Sequence, residues 1–261
     1  DLDDPAEKYL PDTMKMPSRN GKKITLGHLA ANNSGLPRMP ANFRPKDFRN
    51  PYTDYTVEKM YEFLSEYSLR WGIGEKYVYS NLGMGLLGHI LSLRAGMDYE
   101  HLITERICRV LGMEDTRIVL SEDMKKRLAK GHDPKGEVPN WDVPTLAGAG
   151  ALRSTAADML TFLDANMGIE HNSLLPAMDM AQEPHVDAGT GMKVGLGWHI
   201  RDNDKTQIVW HNGGTGGYRA FCGFIKAKKI GVVVLSNMNI GADDIGFHLL
   251  DSSYVLKKID E

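Results

Sequence analysis

The hydrophobic pattern of this 261-residue chain changes its period near residue 190. Before that point, apolar residues recur at the spacing of one face of a helix. One such face follows the cap candidate Thr56 and comprises Val57, Met60, Tyr61 and Leu64. Beyond residue 190, short segments rich in β-branched and aromatic residues are bounded by turn-forming residues, which is typical of strands. Helices followed by an antiparallel sheet and a closing helix predict an α+β fold.

The second part of the chain contains four predicted strands. They cover residues 194–200, 207–210, 219–225 and 231–236. A tight turn at residues 227–229 implies that the last two strands form an antiparallel hairpin. Asp243 or Asp244 is predicted to cap the closing helix, and the apolar face of that helix contains Phe247, Leu250 and Tyr254.

The first part of the chain contains several helix-start signals. Residues 25–31 predict a short helix, and Asp98 is predicted to cap a helix that runs to Val110. Thr155 with Asp158 forms a capping-box pattern ahead of another apolar helix face. We therefore expect this part to be mostly helical.

Length and composition suit one large globular domain, or two in close contact, with a full core, since 42% of the residues are hydrophobic and 25% are charged. We predict one domain over residues 1–261. Within it we predict a mostly helical subdomain over residues 24–185. An antiparallel sheet with a C-terminal helix is predicted over residues 190–261.

Charge and residue usage exclude several classes of function. The net charge of −3 gives no electrostatic argument for a nucleic acid partner. No apolar run approaches the roughly 20 residues that a membrane span needs. Two cysteines do not make a disulfide framework, and nine histidines show no metal-ligand spacing. The sequence predicts no cofactor.

A glycine-rich stretch lies between two predicted strands, at residues 210–218. It contains His211 and Asn212, followed by the glycines 213, 214, 216 and 217. Such glycines let a backbone approach a ligand and aim its N–H groups at it, which suits an oxyanion hole on a sheet edge. No helix follows, so a dinucleotide fingerprint is excluded. A flexible β-turn is the alternative interpretation.

A second candidate is Tyr79-Ser80-Asn81, which directly precedes a helical pattern containing Leu82, Leu86 and Ile90. Serine and asparagine are preferred helix caps, so the triplet has a purely structural interpretation. The same three side chains would also serve as one wall of an active site. Residues 147–155, rich in glycine and alanine ahead of a cap, are a weaker candidate.

Taken together and in order, these segments resemble the serine β-lactamase and penicillin-binding-protein superfamily, in its class C and esterase-like branch. The motif Tyr-x-Asn corresponds to Tyr79 and Asn81, and His211-Asn212-Gly213 falls where members carry Lys-Thr-Gly or His-x-Gly. Further agreement comes from residues 2–11, 24–29, 34–37, 111–113 and 150–155. The resemblance covers nearly the whole chain and implies a β-lactamase/transpeptidase-like fold.

The resemblance also implies roles for individual residues. Tyr79 would help to move the proton of a nucleophilic serine, and the N–H of Gly214 would help to hold the oxyanion. Asn81, His211, Asn212 and Gly213 would bind the substrate. A tyrosine pKa starts near 10, so sharing a proton near neutral pH costs about 4 kcal/mol for a three-unit shift and requires nearby cations.

The chain departs from the family pattern at the nucleophile. No serine here has lysine three residues later; Ser121 and Ser253 have it at the fourth position. The Ser-x-x-Lys motif is expected upstream of Asp1, so we expect a partial domain without the N-terminal strands and the nucleophile helix. An unpaired strand edge near residues 231–236 and an exposed face around Leu82, Leu86 and Ile90 would follow.

The sequence therefore predicts part of a serine acyl hydrolase that acts on an amide, ester or β-lactam carbonyl through an acyl-enzyme. Histidine at position 211 favours an esterase or D-amino-acid peptidase, because a mostly neutral imidazole anchors a carboxylate weakly. The alternative is a non-catalytic binding module that retains the pocket without the nucleophile.

Further expectations concern partners and placement. The expected partners are a small-molecule or peptide substrate and the protein's own N-terminal segment. The family resemblance favours an extracytoplasmic location. Tyr79, Asn81 and His211 are expected to line one cleft, because one small substrate would touch all three.

Overall fold

A computed structural model describes residues 1–203 and 206–257. Residues 204–205 and 258–261, which belong to the predicted 190–261 region, lie outside the described residues. The α-helices are α1 (Leu26–Ala30), α2 (Val57–Glu66), α3 (Asn81–Ala95), α4 (Tyr99–Ile103), α5 (Arg109–Leu111), α6 (Glu122–Arg127), α7 (Ala156–Met167), α8 (Leu175–Gln182) and α9 (Asp243–Leu250).

Strands form antiparallel pairs throughout the described chain. Their bounds are β1 (Ser18–Arg19), β2 (Lys22–Lys23), β3 (His132–Asp133), β4 (Gly136–Glu137), β5 (Val186–Gly189), β6 (Met192–Val194), β7 (His199–Asn203), β8 (Thr206–Thr215), β9 (Tyr218–Ile225) and β10 (Ile230–Ser236). Strands β7 to β10 pair in chain order, each antiparallel to the next. The predicted α+β class is confirmed.

Two compact units interleave along the chain. The first contains Asp1–Ile103, Trp141–Ala151 and Glu183–Gly197, and the second contains Thr104–Asn140, Leu152–Gln182 and the described residues from Trp198 onward. The partition that the sequence analysis gives, at residues 24–185 and 190–261, stays a prediction.

Helix α3 forms the centre of the first unit. Leu82, Leu86 and Ile90 are 0%, 0% and 1% exposed, so the expectation that this face would be uncovered was wrong. The glycines of the same helix are covered by a distant part of the sequence. The 3-10 turn Ala147–Ala149 packs directly on the glycines of α3, close enough that a Cβ at Gly85 would lie 2.5 Å from Leu146 Cδ2.

The second unit is built on the sheet β7–β10, with apolar residues on both faces. One face packs against α7, in a cluster of Leu163, Met167, Trp198, Val209 and Phe224. The other face packs against α9, where Phe247 contacts both Trp210 and Phe221, with ring centroids 4.8 and 5.1 Å apart. This follows from the alternation of side chains along a strand. The hairpin predicted between the last two strands is confirmed.

Two predicted elements are interrupted. The strand predicted over residues 194–200 is broken between β6 and β7, where Gly197 adopts φ +83° and donates to the Ala30 carbonyl over 3.0 Å. The helix predicted from Asp98 to Val110 divides into α4, a π-helical turn at Thr104–Cys108 and α5. Val110, predicted to face inward, is 45% exposed.

Helix caps read from sequence are largely confirmed. The side chains of the predicted caps Thr56 and Thr155 each accept a hydrogen bond from the third residue of their helix. Thr25, which was predicted to be the first residue of its helix, is instead its cap and accepts the same kind of bond. The prediction for α9 was wrong, because Asp243 is its first helical residue and makes no capping bond.

Strand β10 pairs with β9 alone among the described residues, as expected for a strand edge near residues 231–236. In the part of the chain that the structure describes, none of the helices is both long and apolar enough to cross a bilayer.

The close packing on α3 yields a stability prediction. We expect Gly85→Ala to lower the free energy of unfolding by about 1–3 kcal/mol, because the new methyl would overlap Leu146. Gly83→Ala, on the same helix, is expected to cost less, because a Cβ there would lie no closer than 3.2 Å to its nearest neighbour, against 2.5 Å at Gly85. Urea denaturation measures both. A Gly85→Ala protein as stable as the wild type would contradict the packing described.

Candidate functional site

The backbone around Tyr79 is fixed by the buried residue Asn32. The Asn32 carbonyl accepts a hydrogen bond from the Val78 N–H over 2.7 Å, and its side-chain Oδ1 accepts from the Ser80 N–H over 2.9 Å. Asn32 adopts a left-handed conformation, with φ +55°, and is 4% exposed. Both neighbours of Tyr79 are therefore tied to one rigid residue.

Ser80 caps helix α3 and links it to the preceding loop. Its Oγ accepts from the Gly83 N–H over 2.8 Å and donates to the Pro37 carbonyl over 2.6 Å. The Leu82 N–H donates to the Arg38 carbonyl over 3.2 Å. The Ser80 hydroxyl is thus engaged on both sides and 1% of the residue is exposed, which confirms a structural role as the cap.

Tyr79 lies partly buried beneath a cation. The guanidinium carbon of Arg38 lies 5.4 Å from the centroid of the Tyr79 ring. Burial raises the pKa of Tyr79, the Arg38 charge lowers it, and the nearby Tyr52 raises it further. The net direction is upward, so the free phenol is neutral at pH 7.

Asn81 is the first residue of α3, and its amide faces a loop. Its Nδ2 donates to the Tyr52 hydroxyl over 3.3 Å and approaches Met39 Sδ at 3.6 Å. Tyr52 packs against Phe43 and Trp141, with ring centroids 5.0 and 5.6 Å apart. The amide is therefore held against an aromatic cluster through the Tyr52 hydroxyl.

The glycine-rich stretch is part of a strand, so the flexible-turn interpretation was wrong for its first half. Strand β8 continues to Thr215, and His211 to Gly214 pair in register with residues of β9. The pairs are His211–Cys222, Asn212–Phe221, Gly213–Ala220 and Gly214–Arg219. The reversal occurs only at Gly216-Gly217, where Gly217 has φ +74°.

His211 stacks on a second histidine that the sequence analysis did not single out. The rings of His211 and His199 lie 5.0 Å apart at an interplanar angle of 15°, and His199 also lies 4.8 Å from Trp210. Burial, and then the neighbouring His211, lower the pKa of His199 to about 4. Burial also lowers the pKa of His211, against the opposing effect of Asp243. Both imidazoles are neutral at pH 7.

Asn212 and Gly214 each have one close side-chain neighbour, Asp243 and Arg219 respectively. Asn212 Nδ2 donates to the Asp243 carboxylate over 2.6 Å, which explains why Asp243 does not cap α9. A Cβ at Gly214 would lie 2.0 Å from Arg219 Nη1, so the missing side chain lets the guanidinium cross the strand. Gly213 and Gly214 are exposed, and their backbone is therefore accessible to a ligand.

Each half of the predicted site is thus assembled within its own unit. The first unit holds Tyr79 and Asn81, with Arg38 and Tyr52 added by the fold. The second holds residues 211–214, with His199, Arg219 and Asp243 added. The expectation that Tyr79, Asn81 and His211 line one cleft stays a prediction. No group of three or more His, Cys, Asp or Glu residues in the described ranges could hold a metal ion.

Comparisons with known proteins agree across nearly the whole chain. A family model described as Beta-lactamase matches residues 1–249. The D-alanyl-D-alanine-carboxypeptidase/endopeptidase AmpH of Escherichia coli is 30% identical, over 94% of this chain and 68% of its own length. A β-lactamase of Pseudomonas fluorescens is 26% identical, over 91% of this chain and 72% of its own.

Solved structures show the same fold. A β-lactamase/D-alanine carboxypeptidase from Yersinia pestis, solved with citrate, superposes with a TM-score of 0.75 at 26% identity, covering 97% of this chain and 74% of its own. A class C β-lactamase from Rhodobacter sphaeroides gives a TM-score of 0.81 at 24% identity, covering 97% of this chain and 78% of its own. The predicted β-lactamase/transpeptidase-like fold is confirmed.

The capping role of Ser80 is testable by stability. We expect Ser80→Ala to lower the free energy of unfolding by about 1–2 kcal/mol, because the helix start and the Pro37 carbonyl both lose their partner. Ser121→Ala removes the cap of the exposed helix α6 and is expected to cost less. Chemical denaturation compares the two. Equal stability of Ser80→Ala and the wild type would contradict the assignment.

The buried His199 yields a pH prediction. In an unfolded chain histidine titrates near 6.5, whereas the folded pKa of His199 is about 4, so the folded state binds this proton less readily. The resulting stability is complete above pH 6.5 and falls as the pH drops toward 4, by at most about 3 kcal/mol.

Denaturant titrations at several pH values between 7 and 4 measure this slope. We expect His199→Gln to reduce the slope, and His171→Gln, at an exposed position, to leave it unchanged. A His199→Gln protein with the wild-type slope would overturn the prediction.

Proposed function

Because the chain belongs to the β-lactamase family, we propose that it is part of a serine acyl hydrolase that cleaves an amide, ester or β-lactam carbonyl through an acyl-enzyme. The observation that carries the proposal is the family match over residues 1–249. The family comprises serine hydrolases, and the relatives named above include both β-lactamases and a carboxypeptidase. The motifs at Tyr79 and His211 lie within the matched range.

In the proposed mechanism a serine oxygen bonds to the substrate carbonyl carbon, and the carbonyl becomes an oxyanion. The serine proton passes to Tyr79, assisted by the lysine of a Ser-x-x-Lys motif, and then to the departing amine or alkoxide. Water next attacks the acyl-serine ester and releases the acid. Because burial raises the pKa of Tyr79, this role needs cations close to the phenol.

The remaining site residues bind and orient the substrate in this proposal. The Gly214 N–H and the N–H of the nucleophile hold the oxyanion. Asn81 receives the substrate amide or carbonyl in exchange for its contact with Tyr52. His211 and the backbone of Gly213 contact the acyl group. Asn212 Nδ2 is already bound to Asp243, so Asn212 would contribute through its Oδ1.

The protonation state of His211 bears on the substrate. Burial keeps its imidazole neutral at pH 7, so it would orient a substrate by hydrogen bonding and would attract a carboxylate weakly. We therefore propose an esterase or a D-amino-acid peptidase in preference to a dedicated β-lactamase. The name of the Escherichia coli relative, a D-alanyl-D-alanine-carboxypeptidase/endopeptidase, supports the peptidase choice.

A binding module without catalysis is the competing proposal. It is favoured by one observation, that none of the serines in residues 1–261 has lysine at the third following position. Such a module would bind D-alanyl peptides or β-lactams reversibly. The two proposals differ in whether the complete translation product of the gene turns substrate over.

Steady-state kinetics test the proposal. We expect the complete gene product to hydrolyse a D-alanyl-D-alanine peptide or a short-chain ester, and residues 1–261 alone to hydrolyse neither these nor nitrocefin. In the complete product, Tyr79→Phe should lower kcat by about 10²–10⁴-fold, the usual contribution of a proton-transfer group.

Tyr67→Phe is the matched control, since Tyr67 stacks on Phe63 of α2 and has no assigned role. Turnover by residues 1–261 alone would refute the assignment of the nucleophile. Binding of these ligands by the complete product without turnover would favour the module.

A further inference from the structure

The side chain of Arg38 carries a positive charge and contacts the Tyr79 ring. Its guanidinium lies over the ring at 5.4 Å from the centroid. A cation above a tyrosine is attracted by the ring, and it is attracted more strongly once the phenol has lost its proton and carries a full negative charge. The contact therefore favours the phenolate over the phenol.

The backbone holds Arg38 in this place. The Arg38 carbonyl accepts from the Leu82 N–H, and the adjoining Pro37 carbonyl accepts from the Ser80 hydroxyl. These two bonds join the loop to the start of α3, at Ser80 within the Tyr79 motif and at Leu82 directly after it. The Arg38 side chain therefore extends toward the ring from a fixed backbone position.

The charge of Arg38 is not neutralised by a carboxylate in residues 1–203 and 206–257, where it forms no ion pair. Other arginines of the described chain do form such pairs, among them Arg49, Arg109 and Arg127. A guanidinium without a carboxylate partner exerts an electrostatic field on the ring that no neighbouring negative charge cancels. Arg38 is itself exposed, so salt screens part of that field.

The other groups near Tyr79 act in the opposite direction. Burial raises the pKa of Tyr79, and so does Tyr52. Burial, and then Tyr79, raise the pKa of Tyr77, and Arg38 lowers it. Arg38 therefore opposes the effect of burial on both phenols.

We propose that Arg38 is a positioning residue for the reaction, whose guanidinium holds the Tyr79 ring in place and stabilises the phenolate that accepts the serine proton. This inference rests on the proposed function for its purpose, but the physical effect on Tyr79 exists without substrate. The proposal adds the guanidinium of Arg38 to the lysine cation that the mechanism already requires.

The test is a titration of Tyr79 in the absence of substrate. Protein labelled with 3-fluorotyrosine, whose phenol titrates at a lower pH than that of tyrosine, is followed by fluorine NMR, and the Tyr79 signal is identified by its loss in Tyr79→Phe. The proteins compared are the wild type, Arg38→Gln and Arg38→Lys. Arg70→Gln is the matched control, because Arg70 lies 5.3 Å from the ring of Trp71.

We expect Arg38→Gln to reduce the phenolate fraction of Tyr79 at a given pH by about three-fold, the size of an exposed cation–π contact. Arg38→Lys should restore part of the loss, Arg70→Gln should change nothing, and 1 M salt should shrink the effect in the wild type. Should Arg38→Gln fail to fold, the Arg38→Lys and salt results decide the question in its place.

The inference would be overturned if the Tyr79 titration were the same in Arg38→Gln as in the wild type. It would also be overturned if salt did not change the wild-type titration and Arg38→Lys titrated like the wild type. Those results would leave the hydrolase proposal standing, since it is tested by turnover. Conversely, the Tyr79 titration could shift in Arg38→Gln while the complete gene product showed no turnover. The effect of Arg38 on Tyr79 would then stand, and its role in a reaction would be refuted.

Discussion

Hydrogen bonds between residues 32–38 and residues 78–82 hold Tyr79 and Asn81 in place. Asn32 accepts from the residues on both sides of Tyr79, and Ser80 ties the helix start to Pro37. Buried polar groups that lose such partners cost about 1–3 kcal/mol each. The orientation of the Tyr79 phenol, the placement of Arg38 over it and the position of the Asn81 amide all depend on this connection.

The electrostatics of the two units favour neutral groups. Burial raises the pKa of Tyr79 and lowers the pKa values of His199 and His211. Each pKa shift keeps the side chain uncharged near pH 7. A nearby charge of opposite sign to the ionised side chain would act against that shift. Tyr79 has such a charge in Arg38, and His211 has a weaker one in Asp243. A reaction that needs Tyr79 as a base therefore depends on its cations.

Local features of the fold could be predicted from the sequence, because they depend on adjacent residues. The caps Thr25, Thr56 and Ser80 and the left-handed Gly96 after α3 are of this kind. Features that depend on contacts between residues far apart in the sequence could not be predicted. The strand predicted over residues 194–200 fails at Gly197, whose conformation is coupled to a hydrogen bond with Ala30.

The candidate site shows the same division. The motif residues Tyr79, Asn81 and His211 could be found by their spacing and by family resemblance. Their neighbours Arg38 and His199 could not, because no short-range pattern marks a residue that contacts the motif only in the folded chain. Arg38 directly follows the Ser34-Gly35-Leu36-Pro37 landmark, but that position does not indicate a contact with Tyr79. The burial of Leu82 and Leu86 was also missed, and so was the contact of residues 146–148 with the glycines of α3 from far along the chain.

The central proposal is that these residues serve an acyl-enzyme reaction whose nucleophile is the serine of a Ser-x-x-Lys motif. Intact-protein mass spectrometry of the complete gene product, quenched during turnover of a slowly hydrolysed β-lactam, tests it most directly. The account predicts a mass increase of one acyl group, mapped by peptide analysis to a serine three residues before a lysine and formed more slowly in Tyr79→Phe. An adduct on Ser80 or another serine within residues 1–261, or no adduct at any time point, would contradict it.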